Sequence, residues 1–130
     1  MATLTPTLTL ASKDSSTDVL DFTVTDTLAV GAPSTGVSRA ILAVSGGSDV
    51  ILKPGGSAGN HFLYVKHTGK QGDGSTAATN AVVLKLSSAS LSVLQPGEWS
   101  FFSVINSGVI NAISSSSETL LVEYAYWTKS

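Results

Sequence analysis

The chain has no cysteine and few charged residues. Without cysteine it has neither disulfides nor thiolate metal sites, so its fold depends on packing alone. Charged residues make up 12% of the 130 positions, about half the share usual in globular domains. The seven Lys and Arg residues are dispersed and the net charge is −2. Because no basic stripe exists to follow phosphates, we expect no nucleic-acid partner.

Long hydrophobic runs are also missing. No stretch approaches the roughly 18 consecutive apolar residues that a membrane-spanning helix needs, so we expect no membrane partner. The opening residues 1–6 lack the basic and apolar regions of a secretory signal peptide. We therefore expect the chain to fold in the cytoplasm in which it is made.

What the sequence does contain is a period-two pattern, and no segment has the period of a helix. We read this pattern in 3–10, 19–24, 39–44, 91–104 and 120–127, with Ser and Thr as alternating polar residues in 3–10 and 91–104. Such alternation is typical of β-strands with one solvated face. We predict an all-β fold, an antiparallel β-sandwich of jelly-roll or Greek-key type with eight or nine strands. Residues 1–17 are predicted to form an N-terminal strand or arm, and residues 18–130 a single sandwich domain.

The residues of three segments indicate where each predicted strand lies in the fold or which of its faces is buried. Pro6 cannot donate to a β-ladder, so 3–10 is either an edge strand of the same domain or an arm that joins a neighbour's sheet. In the strand 19–25, Leu20, Phe22 and Val24 are expected to face the core. The segment 40–44 is apolar on both faces, which favours a central strand.

Three connections stand out for their glycine and proline content. Pro96-Gly97 fits the two central positions of a type II turn. The segment 54–60 is predicted to be an exposed loop. The segment 69–80 is predicted to be a long loop of the kind that is either functional or merely tolerated.

No group of residues indicates catalysis. His61 and His67 lie six apart in one predicted strand, about 20 Å at 3.3 Å per residue, too far apart to share a metal ion. No serine lies in a G-x-S-x-G motif, and Asp73-Gly74 lacks the alternating acidic ligands of a calcium loop. We therefore expect that the protein is not an enzyme and has no catalytic residue, metal ligand or cofactor.

The aromatic residues divide between strand faces. Trp99 and Phe101 share a face opposite Phe102, and Tyr124 and Tyr126 share a face opposite Trp127. One set is expected in the core. A second set on the outer face would form a subunit interface or a platform for sugars.

Three segments resemble small virion structural proteins of tailed bacteriophages. They are the opening ATLTPTLTL at 2–10, LQPGEWSFF at 94–102 and VEYAYWTK at 122–129. The resemblance implies a β-sandwich component of the particle, in particular a capsid decoration or cement protein that binds the outer shell and stabilises it. It also implies a non-enzymatic protein without cofactor, on the capsid surface of the virion. Its implied partners are the major capsid protein and other copies of itself in a homotrimer.

These expectations select a set of partner-contact residues and leave two other functions open. The selected residues are Thr3, Leu4, Thr5, Pro6, Thr7, Leu8, Trp99, Tyr126 and Trp127. One alternative is a tail, fibre or head-fibre component of the virion. The other is a carbohydrate-binding β-sandwich module whose site is formed by the loops 54–60 and 69–80.

Overall fold

The computed structural model describes residues 2–12, 21–56 and 59–130, and over this part of the chain the secondary structure is strands and turns without a helix. The strands are β1 (Ala2–Leu4), β2 (Thr7–Ala11), β3 (Asp21–Thr25), β4 (Leu28–Ser34), β5 (Ser38–Leu42), β6 (Val50–Lys53), β7 (His61–Gln71), β8 (Val82–Leu86), β9 (Ala89–Leu94), β10 (Trp99–Val104), β11 (Ile110–Ser114) and β12 (Leu120–Lys129). All of their pairings are antiparallel. The predicted all-β, sandwich-like fold is confirmed.

The strands form two larger sheets and a separate two-stranded ribbon. The large sheet has the order β1-β4-β12-β7-β10, and β5 pairs with β12 as well. The small sheet has the order β6-β11-β8-β9, and β2 pairs with β3 alone. The strand count exceeds the predicted eight or nine partly because the first segment divides at Pro6 into β1 and β2.

The core lies between the two larger sheets. Leu63 and Val65 of β7 and Val122 of β12 are fully buried against Leu84 of β8 and Ile110 of β11. Burial alternates along β7. Its inward residues are buried (His61, Leu63, Val65 and His67), and Phe62, Tyr64 and Lys66 are half-buried on the other face.

Two of the sequence predictions about individual strands are wrong, one about a face and one about a position in the sheet. Phe22 and Val24 are 41% and 51% exposed, because β3 pairs only with β2 and does not join the core; Leu20 lies outside the described residues. The segment 40–44 is not a central strand either. β5 lies at the margin of the large sheet, where β4 and β5 pair in succession along the same long strand β12, and Ile41 is 56% exposed.

The predicted type II turn is confirmed. Gly97 has a φ of +90°, which the third residue of such a turn requires, and the Glu98 amide donates to the Gln95 carbonyl at 2.9 Å. The division between residues 17 and 18 lies outside the described residues, and β2 before it pairs with β3 after it. The assignment of residues 1–17 and 18–130 to an arm and a domain stays a prediction.

The segment 69–80 is more ordered than a simple loop. β7 continues to Gln71, and Lys70 and Ala77 form a β-bridge. The Asp73 carboxylate accepts from the Ser75 and Thr76 amides at 2.9 and 2.8 Å and from the Thr76 hydroxyl. These bonds, the Thr76 hydroxyl first, lower the pKa of Asp73 to about 2.

The fully buried side chain of Lys53 connects the two larger sheets through hydrogen bonds. The Lys53 ammonium donates to the carbonyls of Ile105, Asn106 and Gly108 at 3.2, 2.9 and 2.7 Å. The end of β6 is thereby joined to the turn between β10 of the large sheet and β11 of the small sheet. Burial lowers the pKa of Lys53, and the three carbonyls compensate for the lost hydration of its charge.

We expect Lys53→Met to destabilise the fold. Methionine keeps most of the side-chain length but leaves three carbonyls without their donor, at a net cost of about 1–3 kcal/mol. Thermal unfolding should show a Tm lower by about 5 °C or more. Lys85→Met is the matched control, because Lys85 pairs with Asp49 at 3.0 Å in a partly exposed position and should contribute about 1 kcal/mol or less. Equal losses in the two variants would contradict this role for Lys53.

We expect Asp73→Asn to lower the Tm at neutral pH and to have little effect in strong acid. Because the pKa of Asp73 is lowered in the folded state, its stabilisation is complete above the unfolded pKa of 3.8 and is lost as the pH falls through about 2. The Tm difference between the two proteins, followed by circular dichroism across this range, should shrink toward zero. A difference that is independent of pH would show that the charge of Asp73 does not hold the turn.

Candidate partner-binding surfaces

The ribbon formed by β2 and β3 has two chemically different faces. Thr7 lies opposite Thr25 and Thr9 opposite Thr23, and each pair joins its hydroxyls, at 3.0 and 3.1 Å. Because side chains alternate along a strand, the intervening residues occupy the other face. There Leu8 lies opposite Val24 and Leu10 opposite Phe22. The ribbon therefore has a threonine face and an apolar face.

The apolar face of the ribbon is open. Every residue of β2 and β3 is exposed. Leu8 and Val24 line a cavity together with Phe101 of the large sheet, which places this end of the ribbon beside the sandwich. Leu10 and Phe22 lie farther along the ribbon, 39% and 41% exposed. An isolated two-stranded ribbon is marginally stable in water, so a surface that covers its apolar side would stabilise it.

The outer face of the large sheet is rich in aromatic side chains, and we call it the aromatic face: Phe62, Tyr64, Trp99, Phe101 and Trp127. The rings of Phe62 and Phe101 stack with centroids 5.9 Å apart. The Lys129 ammonium lies 4.5 Å from the centre of the Phe62 ring. The second aromatic set that the sequence predicted thus lies on the outer face.

A groove lies where the ribbon meets the aromatic face. Its volume is about 240 Å³. The residues that line it are Pro6, Thr7, Leu8, Tyr64, Trp99 and Phe101. Four of the predicted contact residues, Pro6, Thr7, Leu8 and Trp99, are therefore brought together although more than 90 positions separate Leu8 from Trp99 in the chain.

The other predicted contact residues lie elsewhere. Thr3 and Trp127 line a shallow depression near the C-terminus. Leu4 pairs with Leu28 at the edge of the large sheet, and Thr5 is exposed between β1 and β2. Tyr126 packs against the core, with its ring 5.7 Å from that of His61 in an edge-to-face contact.

A row of four side chains, three of them charged, crosses the aromatic face. Trp99 of β10, Lys66 of β7, Glu123 of β12 and Arg39 of β5 are successive neighbours on adjacent strands. Arg39 and Glu123 form an exposed ion pair at 3.4 Å. Within the described part of the chain, the Lys66 ammonium and the indole N–H of Trp99 have no hydrogen-bond partner. Desolvation first, and then the charge of Glu123, raise the pKa of Tyr64.

Both histidines are buried in β7. The Gly69 amide donates to Nδ1 of His67 at 3.1 Å, so Nε2 carries the proton and donates to the Asn80 carbonyl at 2.9 Å. Nδ1 of His61 has no partner among the described residues. Burial, followed by the charge of Lys53, lowers the pKa of His61. Both imidazoles therefore face protein atoms of the interior.

The described residues form neither a metal-ligand cluster nor a membrane-spanning helix. Across residues 2–12, 21–56 and 59–130, no three His, Asp or Glu side chains are grouped as metal ligands would be. Nor does this part of the chain contain a helix of the length and hydrophobicity needed to cross a bilayer.

The sequence interpretation missed the exposed residues Phe22 and Val24 and the groove residues Tyr64 and Phe101. The sequence does contain a pattern that indicates the β2–β3 ribbon. TLTL at 7–10 and FTVT at 22–25 place threonine opposite threonine when they pair as a hairpin. No local pattern could indicate the groove, because it depends on how the ribbon leaves the sheet.

Comparisons with known proteins assign no function, so any functional inference depends on the surfaces described above. No protein-family model matches the chain, and a search of curated proteins finds no relative.

Proposed function

We propose that the chain is a virion structural protein, a capsid decoration or cement protein that binds the outer shell and stabilises it. The observation that carries the proposal is the exposed β2–β3 ribbon with its apolar face. The sequence resemblance to small virion proteins supports the same function. On this proposal the major capsid protein is the partner of the ribbon, and the protein resides on the capsid surface.

The ribbon is suited to docking because one of its ends is fixed. β1 pairs with β4 in the large sheet, and the chain turns away at Pro6 to enter the ribbon. The Asp26 amide donates to the Pro6 carbonyl at 3.2 Å, which joins the two chain segments at the ribbon's base. The base of the ribbon is therefore fixed to the sandwich, which lowers the entropic cost of binding.

The surface composition suits repeated copies on a shell. Few charges oppose contact between identical molecules, and Ser and Thr solvate the strands in their place. Further apolar side chains are exposed on the sandwich itself, among them Val37, Ile51 and Ile105. We propose that contacts between copies, in a homotrimer, use part of this apolar surface.

Copy number tests the proposed location. A decoration protein should be present at about one copy per major capsid protein, or at a simple fraction such as about one third. Gradient-purified particles analysed by quantitative mass spectrometry give this ratio. A few copies per particle would indicate a tail or fibre component, and absence from particles would contradict a virion function.

Replacement of the distal apolar pair tests the docking mechanism. We expect Leu10→Thr with Phe22→Thr to weaken capsid binding about 100-fold, because two apolar side chains no longer become buried at the shell. Threonine favours strands, so the ribbon itself should persist. Binding is measured by co-sedimentation of the purified protein with capsids that lack it.

The matched control alters the opposite face of the same ribbon. Thr9→Val with Thr23→Val keeps the side-chain shape and removes only the paired hydroxyls, so capsid binding should be retained. Equal loss of binding in both double variants would show that the ribbon acts through its fold and not through its apolar face. Full binding by the Leu10 and Phe22 double variant would exclude this docking mode. These variants are more selective than removal of residues 1–12, which would also delete β1 from the large sheet.

A further inference from the structure

We propose that the groove between the ribbon and the aromatic face binds a neutral carbohydrate, with one sugar ring stacked on Trp99. This site is separate from the docking role of Leu10 and Phe22 and does not depend on it. Its described lining residues belong to Pro6, β2, β7 and β10, and none belongs to the loops 54–60 and 69–80 that the sequence indicated for a glycan.

The first argument is the environment of Trp99. Its side chain is 54% exposed although it lies within a strand, so a broad part of the indole is open to solvent. Tyr64 and Phe101 form the adjoining wall of the groove, and Leu8 and Pro6 of the ribbon lie beside them. An open aromatic ring next to a small concavity offers a flat apolar surface to the C–H face of a sugar ring.

The second argument is the set of polar groups left without partners at the same place. Lys66 lies directly opposite Trp99 in the strand register, and Tyr64 precedes Lys66 by two residues on the same face. In the described part of the chain, the Lys66 ammonium, the Tyr64 hydroxyl and the Trp99 indole N–H have no partner. These three donors suit the hydroxyl oxygens of a sugar.

The third argument concerns charge. Lys66 is followed along the row by Glu123 and Arg39, which form an ion pair with each other. Asp26 lies at the base of the ribbon, in a cavity shared with Phe101. Charges of both signs therefore surround the groove, with no cluster of cations to attract an acidic polymer. Glu123 adds a carboxylate that can accept from sugar hydroxyls.

The sheet backbone argues against an extended peptide as the ligand. The groove lies over β7 and β10, and the backbone of β7 is paired on one side with β10 and on the other with β12. β10 is the last strand of the sheet, so a peptide that extends the sheet would pair along the outer edge of β10, whereas a ligand in the groove over β7 meets side chains. Recognition at this site must use side chains alone, which is how aromatic and polar groups bind sugars.

Tryptophan fluorescence and an oligosaccharide array test the proposal. The chain contains two tryptophans, so Trp127→Phe leaves Trp99 as the only one. This variant is applied to an array of neutral hexose and N-acetylhexosamine oligosaccharides, together with uronic acid and sulfated oligosaccharides. A neutral oligosaccharide bound on the array should then shift the Trp99 emission in a saturable titration. Binding of only acidic oligosaccharides, or of none, would overturn the proposal.

Substitutions locate the site. Trp99→Ala should weaken binding of the same oligosaccharide at least about tenfold, whereas Trp127→Ala, on the same face but outside the groove, should not change it. Lys66→Met and Tyr64→Phe remove one donor each from half-buried positions and should weaken binding severalfold. Unchanged binding in Trp99→Ala, or an equal loss in Trp127→Ala, would overturn the assignment. Since capsid binding is assigned to Leu10 and Phe22, Trp99→Ala should still co-sediment with capsids, so the two proposals can fail separately.

Discussion

The pairing of β7 with β12 is the interaction on which the rest of the structure depends. These are the two longest strands, and they are paired from Leu120 opposite Gln71 to Thr128 opposite His61. Their inward residues supply Leu63, Val65 and Val122 to the core, while the outward residues of the same strands form much of the aromatic face. Because side chains alternate, a slip of one residue in this register would expose the core and bury the charged row.

Pro6 determines how the N-terminal segment uses this framework. Before it, β1 extends the large sheet through β4; after it, β2 leaves the sheet and pairs with β3. Proline has no amide hydrogen to donate to a ladder, which makes it a natural point for a strand to change partners. The same change of direction places Leu8 beside Trp99 and so creates the groove. A short local sequence thus generates both the proposed docking surface and one wall of the proposed sugar site.

The sequence was most informative where a strand is buried on one face and solvated on the other. In His61–Gln71 the alternation places His61, Leu63, Val65 and His67 on one face, and the structure buries all four. The same reasoning failed for Phe22, since alternation reveals that a strand has two faces but not which one meets the core. It also could not reveal the role of Lys53, whose three carbonyl partners lie more than 50 residues away in the chain. The groove likewise depends on long-range packing, and only Trp99 and the residues around Pro6 were indicated in advance.

The two proposed sites are adjacent, and their geometry links them. Leu8 faces the groove at one end of the ribbon, and Leu10 and Phe22 occupy the part beyond it. If the shell approaches from the far end of the ribbon and covers only Leu10 and Phe22, the Trp99 side of the groove stays open. A shell that lies flat against the aromatic face would close the groove. Binding of shell and sugar to the same molecule therefore requires the first orientation, in which the large sheet stands away from the capsid with its outer face accessible from the side.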